Sequence, residues 1–132
     1  PILLMANALA DDNIEQLITH LNALLASIPY DWHQSNEAYY HTVMHLAFSL
    51  IGVHIQSEIH TAKGRLDSVI HTEHTIYIFE LKVDKSAEQA LIQVEEKGYA
   101  QPYIGKGKSV VAIGIDFSSE LKAVKEWETK EL

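Results

Sequence analysis

No cysteine occurs among the 132 residues. That excludes a disulfide scaffold, a thiolate zinc site, an iron–sulfur cluster and a thiol nucleophile, and it makes a reducing compartment, the cytoplasm, the expected location. Basic residues are scarce, ten against eighteen acids, for a formal net charge of −8. A protein that coats nucleic acid through charge alone needs a basic footprint, so that class is disfavoured. No apolar run approaches the ~18 residues that span a bilayer, and no basic segment precedes an apolar one, so neither a membrane span nor a signal peptide is expected. No linker or internal repeat divides the chain, and its length suits one domain burying roughly two thirds of its unfolded surface. The chain opens on Pro1, in "PILLMANALADD", rather than on methionine, which leads us to expect a fragment whose preceding partner is absent.

The charge that is present is unevenly placed. Residues 1 to 62 hold six acids and no lysine or arginine, whereas residues 63 to 108 carry seven of the ten bases against seven acids. An anion is therefore expected to meet the middle third, although the same composition fits a solvated surface of mixed charge.

Apolar periodicity gives the elements. Ile14, Leu17, Ile18, Leu21, Leu24, Leu25 and Ile28 recur at helical spacing between Asp11–Asp12 and Pro29, which predicts an amphipathic helix. A second helix is expected from about Asn36 to Ile51, capped by Ser35 or Asn36 and closed by Gly52. Strand-like runs follow at 53–60, 65–72 and 76–83, and their short connections predict an antiparallel meander. Ser86 with Gln89 opens a helix through a capping-box pattern. The run "SVVAIGID" (109–116) reads as a strand buried on both faces, and 121–128 as an edge strand or a short helix. The order of elements implies an α/β or α+β sandwich.

Within "TIYIFELKVD" (75–84), alternation puts Ile76, Ile78, Glu80, Lys82 and Asp84 on one face and Tyr77, Phe79, Leu81 and Val83 on the other. The first face begins apolar and turns ionic. A tight turn at Thr72 to Thr75 would pair 65–72 with 76–83 so that opposed residue numbers total about 147, which sets Asp67 across from Glu80 and Arg65 across from Lys82. Buried carboxylates need a cation or hydrogen bonds to stay ionised. Two of them on adjacent strands, with a lysine two residues further, suit metal-assisted phosphodiester hydrolysis: hard oxygens hold Mg²⁺ or Mn²⁺, and the lysine orients water or offsets developing charge. A bound divalent ion would also make an acidic site attractive to phosphate.

"GRLDSVI" followed after twelve residues by "ELK", together with "SIPYDWHQSNEAYYH", "SEIHTAKGRLD", "IYIFELK", "ALIQVEEKGYAQPY" and "VVAIGIDFS", resembles the PD-(D/E)XK nuclease superfamily. Within it, the set is similar to the nuclease-like domain at the C-terminus of bacterial AAA-ATPase-like proteins. The resemblance runs from about residue 3 to the end, with Leu66 standing where the family name has proline. It implies a restriction-endonuclease-like α/β core, a mixed central sheet flanked by helices, with residues 1–36 as a helical lead-in and 37–132 as the core. It implies Asp67 and Glu80 as ligands of Mg²⁺ or Mn²⁺, the Leu81 carbonyl as a backbone ligand, Lys82 as the catalytic lysine and Glu37 as a helix glutamate near the metal. Gln93 and Tyr99 match a helix that lines the DNA side, with Lys97 and Arg65 in support. DNA is the implied substrate, an AAA-ATPase-like domain the implied partner, and a homodimer is in keeping with the superfamily.

Each of these residues also has a plainer reading. Asp67, Glu80 and Lys82 would equally form an ion-pair ladder on a solvated face. Glu58 is either a further site residue or a strand-face carboxylate paired with Lys63 or Arg65. Glu37 also suits a first-turn acid favoured by the helix dipole. Gln89, Gln93 and Lys97 form an i, i+4, i+8 row, which is either a phosphate-contacting stripe or the polar face of a helix. His41 and His45 have zinc-ligand spacing, but no glutamate follows His41, and "GKGK" lacks the rest of a phosphate loop. Two functions follow: a metal-dependent DNA endonuclease, or a nuclease-like docking domain without hydrolytic activity.

Overall fold

In the computed structural model, residues 1–55, 59–62 and 66–132 are described, with side chains at 1–52 and 68–132. Glu58, Arg65 and the side chain of Asp67 lie outside the described residues. Among the described residues four α-helices, α1 (Ile2–Ala10), α2 (Ile14–Ser27), α3 (Glu37–Ile55) and α4 (Ala87–Lys97), pack around five strands, β1 (Ile59–Ala62), β2 (Leu66–His71), β3 (Thr75–Val83), β4 (Ser109–Ser118) and β5 (Ala123–Glu131). The strands form one mixed sheet in chain order, antiparallel throughout except for the parallel pair β3–β4. A parallel neighbour requires a crossover, and α4 supplies it. No helix among the described residues is long and apolar enough to cross a membrane.

Each face of β3 goes to a different layer. Tyr77, Phe79 and Leu81 join Ile113, Ile115 and Phe117 of β4 against α1, α2 and α3. Phe48 of α3 meets Phe79 at 4.6 Å and Tyr40 stacks on Phe117 at 4.7 Å between ring centroids, pairs worth about 0.5–1.5 kcal/mol each beyond their burial. Ile76 and Ile78 join Val110 and Ala112 in a smaller core under Val94 of α4. The β2–β3 register is the one the sequence implies, with Val69 opposite Ile78 and Ile70 opposite Tyr77. It is fixed by the turn, where the Thr72 N–H donates to the Thr75 carbonyl at 2.8 Å.

Three boundaries differ from the sequence reading. Residues 2–10 form a helix of their own, and Asn13, rather than Asp11 or Asp12, caps α2 by accepting the Gln16 N–H at 3.1 Å. Helix α3 runs through Gly52 to Ile55, so residues 53–55 of the expected strand are helical, residues 56–58 fall outside the described residues, and β1 starts at Ile59. Glycine inside a helix costs only about 1 kcal/mol, and Met44, Ala47, Phe48 and Ile51 are all buried. Burial of that stripe outweighs the glycine. The segment near the C-terminus is an edge strand, β5.

Gly114 sets how closely α4 approaches the sheet. A Cβ at this position would lie 2.5 Å from the Ala87 carbonyl oxygen and 3.1 Å from Ala90 Cβ. Ala87 and Ala90 are themselves fully buried, so neither side of the contact has room to give. Gly114→Val should therefore destabilise the fold by about 1–3 kcal/mol, the range for overpacking, read as a lower urea midpoint. An unchanged midpoint would mean that α4 does not seat on β4 at this distance.

Candidate functional site

Toward the C-terminal ends of β3 and β4 the α4-facing surface changes from apolar to polar. Beyond Ile78 and Ala112 come Glu80 opposite Gly114 and Lys82 opposite Asp116. Glu80 is 2% exposed. Gly114 leaves no side chain beside it, so α4 closes down and brings Gln93 over Lys82, whose ammonium donates to Gln93 Oε1. Among the described residues this neutral acceptor is the hydrogen-bond partner of Lys82. Ser86 holds the start of α4 by accepting the Gln89 N–H at 3.1 Å, and Gly98 ends it in the left-handed conformation at φ 65°. Both ends of the helix are fixed by the residue types that suit them.

Lys82, Lys85, Gln89, Gln93, Glu96 and Lys97 line an open groove of about 260 Å³ between the end of β3 and the outer side of α4. Three ammonium groups and two amides against one carboxylate give this groove a net positive lining. The i, i+4, i+8 row of Gln89, Gln93 and Lys97 faces this groove, and Lys85, which sequence reasoning passed over, joins it from the β3–α4 turn.

Asp116 was also passed over, although an aspartate ending "SVVAIGID" was a visible signal. It is completely buried, accepts the Lys85 N–H at 3.0 Å and pairs with Lys125 Nζ at 2.9 Å. Lys125 in turn donates to the Lys85 carbonyl at 3.2 Å, so both backbone groups of Lys85 are held from β4 and β5. The bond to Asp116 raises the pKa of Lys125. Next door, Asp84 has φ 55°, and its carboxylate accepts the Ser119 hydroxyl and the Ser119 N–H. Those two bonds, the hydroxyl first, pull the Asp84 pKa below its usual value. The turn after Lys82 is thereby clamped to the turn after β4.

The remaining sequence-derived candidates are distributed as follows. The β2–β3 register, continued by one residue, sets the backbone of Asp67 opposite Glu80. The Leu81 side chain is buried in the other core, 2% exposed, and its backbone lies between Glu80 and Lys82. Tyr99 packs against the smaller core, with its hydroxyl buried and without a hydrogen-bond partner among the described residues. Glu37 stands in the first turn of α3, paired with His41 at 3.8 Å. Because Tyr40 lies on Phe117, the start of α3 reaches the same end of the sheet as Lys82 but in the opposite layer. The structure thus brings Lys82, Gln93 and Lys97 to one groove, leaves Glu80 buried two residues before Lys82 on the same strand, and holds Glu37 on the far side. Among the described residues no cluster of three or more His, Asp or Glu gathers as a metal site.

A family profile described as the PD-(D/E)XK nuclease superfamily matches residues 35–127. An "Uncharacterized protein in vnfD 5'region" of Azotobacter chroococcum mcd 1 is 36% identical over 115 residues, covering 82% of this chain and 22% of that relative. The chain thus spans about a fifth of the relative's length. No solved structure matches significantly. Nucleases of this superfamily generally use divalent metals. The donor chemistry here fits such an ion: the Glu80 carboxylate, a neighbouring backbone carbonyl and a second acidic position across the register are all hard oxygens.

The Asp84–Ser119 clamp makes a pH-dependent prediction. A carboxylate whose folded pKa is lowered contributes stability that is fully present above its unfolded value and lost as pH falls through the folded one. Ser119→Ala should therefore be less stable than wild type at neutral pH. The gap should close as pH drops below the ordinary aspartate value of 3.8, read by urea unfolding at a series of pH values. A gap that stays constant down to about pH 2.5, well under typical aspartate values, would show that Asp84 does not carry the clamp.

Proposed function

Because the chain belongs to the PD-(D/E)XK nuclease superfamily, we propose that it is a metal-dependent DNA endonuclease that hydrolyses phosphodiester bonds at the β3–α4 end of the sheet. One observation carries this reading. A buried glutamate and a lysine two residues on share the strand face that opens onto a groove lined by lysine and glutamine. An ion-pair ladder on a solvated surface does not account for a glutamate that is 2% exposed.

Asp67, Glu80 and the Leu81 carbonyl would hold Mg²⁺ or Mn²⁺, which when bound supplies Lewis acidity to the phosphate and lowers the pKa of coordinated water. Lys82, steadied by Gln93, donates a hydrogen bond to the attacking water or to a non-bridging phosphate oxygen and offsets charge that develops there. Lys85, Gln89 and Lys97 contact phosphates along the groove and set the strand's register without reading sequence. Arg65, two residues before Asp67, belongs to the same reading. Glu37, in the opposite layer, would act on the site only across the end of the sheet.

A second reading, a nuclease-like docking domain of a larger AAA-ATPase-like protein, is favoured by one surface feature. An apolar groove of about 230 Å³ lies among α1, α2 and α3, lined by Ile2, Leu24, Ile28, Val43, Ala47 and the exposed Leu46 and Leu50. The covering element under this reading is another part of the same long polypeptide, consistent with the 22% share of the relative that the match occupies.

Cleavage of single-stranded, duplex, flap and four-way DNA with Mg²⁺ or Mn²⁺ separates the two. Under the first reading Glu80→Ala and Lys82→Ala each lose activity by on the order of 10²-fold or more, the scale of removing a group that acts in the transition state. Their thermal unfolding should stay cooperative. Wild type should gain several degrees in Tm on adding Mn²⁺, with a smaller gain in Asp67→Ala. A wild type that cuts none of these substrates, or a Lys82→Ala variant as active as wild type, rejects the catalytic assignment.

A further inference from the structure

Two of the largest side chains in the protein stand in solvent two residues apart in the chain. Tyr30 is 74% and Trp32 69% exposed, in a single 3₁₀ turn between α2 and α3. The turn itself is anchored. His33 Nε2 lies 3.1 Å from the Leu25 carbonyl and 3.3 Å from the Ile28 carbonyl, and Nδ1 lies 3.3 Å from the Tyr39 hydroxyl. Carbonyls only accept, so Nε2 carries the proton and Nδ1 accepts from Tyr39. Both rings are therefore presented from a backbone pinned to the ends of α2 and α3.

Their position ties them to the site. Lys122 Nζ sits 4.3 Å from the centroid of the Tyr30 ring. Lys122 belongs to the β4–β5 turn, where its N–H donates to the Ser118 carbonyl at 2.8 Å. The neighbouring Ser119 is the residue that clamps Asp84, two residues beyond Lys82. The aromatic pair thus stands at the same end of the sheet as the groove, beyond the clamp. It lies just before the stretch 35–127 that the family profile matches.

We propose that Tyr30 and Trp32 form a stacking platform for unpaired bases, so that the strand held at the β3–α4 groove is single-stranded where it passes over the β4–β5 turn. Exposed aromatic faces bind bases without regard to sequence, and a duplex keeps its bases stacked inside where such rings cannot reach them. The local charge points the same way. Asp31 lies between the two residues in sequence and Glu120 in the turn with Lys122, so coulombic attraction at this spot is weak and stacking is what remains. The groove lysines, by contrast, act through phosphate charge. The inference rests on the nucleic-acid reading above, and it adds the class of substrate, DNA with an unpaired segment.

The test uses the full 132-residue chain in EDTA, which prevents cutting, with fluorescein-labelled oligo-dT and a blunt duplex of equal length. Wild type should bind oligo-dT more tightly than duplex, with quenching of tryptophan emission. The double variant Tyr30→Ala/Trp32→Ala should lose roughly ten-fold or more in oligo-dT affinity while duplex affinity changes little. That loss should be the same at about 50 and 200 mM salt, whereas Lys85→Ala and Lys97→Ala should weaken both ligands, with a shallower salt dependence than wild type. Trp32→Phe keeps a stacking ring and should retain affinity while losing the quenching, because the other tryptophan, Trp127, is partly buried. Equal weakening of both ligands by the double variant, or none, overturns the platform and leaves the nuclease reading standing. Failure of wild type to bind oligo-dT overturns the platform, and the nuclease reading is then judged by the metal-dependent cleavage above.

Discussion

The contact on which the rest depends is the close approach of α4 to β4 over Gly114. A parallel strand pair forces the chain to cross over, and the crossing helix has to lie against the face that carries Glu80 and Lys82. With glycine at 114 and alanines at 87 and 90, backbone meets backbone at a spacing that no larger residue permits. That spacing brings Gln93 onto Lys82 and turns the polar side of α4 into one wall of a groove. A bulkier residue at 114 would lift the helix and open the site.

The second constraint is the pair of clamps that hold the turn between β3 and α4. Asp116 and Lys125 fix both backbone groups of Lys85, and Asp84 grips Ser119. An ion pair between the buried Asp116 and the exposed Lys125 is weak support for stability in itself, because desolvation of the carboxylate offsets much of the attraction. Its effect here is positional. The lysine end of β3 and the start of α4 are held by β4, β5 and the turn between them at once, and preorganised side chains of that sort are what electrostatic catalysis requires.

The acidic net charge and the proposed anionic substrate are reconciled by distribution. Six acids and no lysine or arginine occupy the first 62 residues, mostly on the helical layer, while Lys82, Lys85 and Lys97 open on the other side of the sheet. At physiological salt the Debye length is about 8 Å, so a phosphate in the groove responds to the lysines beside it far more than to carboxylates across the domain. The sheet separates the two regions of charge.

Alternation along 75–84 determined which side of β3 would be apolar and which ionic, and the two-residue turn between Thr72 and Thr75 determined the β2–β3 register. Both are short-range consequences of strand geometry, and both are legible in the residues themselves. So was the start of the crossover helix, because Ser86 with Gln89 marks it by local capping chemistry. The tertiary structure decided what depends on residues distant in sequence. Burial of the Met44 to Ile51 stripe carried α3 through Gly52 to Ile55, where a local rule would stop it. The partnership of Asp116 with Lys85 and Lys125 exists only because β4 lies between β3 and β5. The placement of Tyr30 at the end of the sheet with Lys82 follows from a turn more than eighty residues further along the chain. Periodicity records the faces of an element, and only packing decides which elements those faces meet.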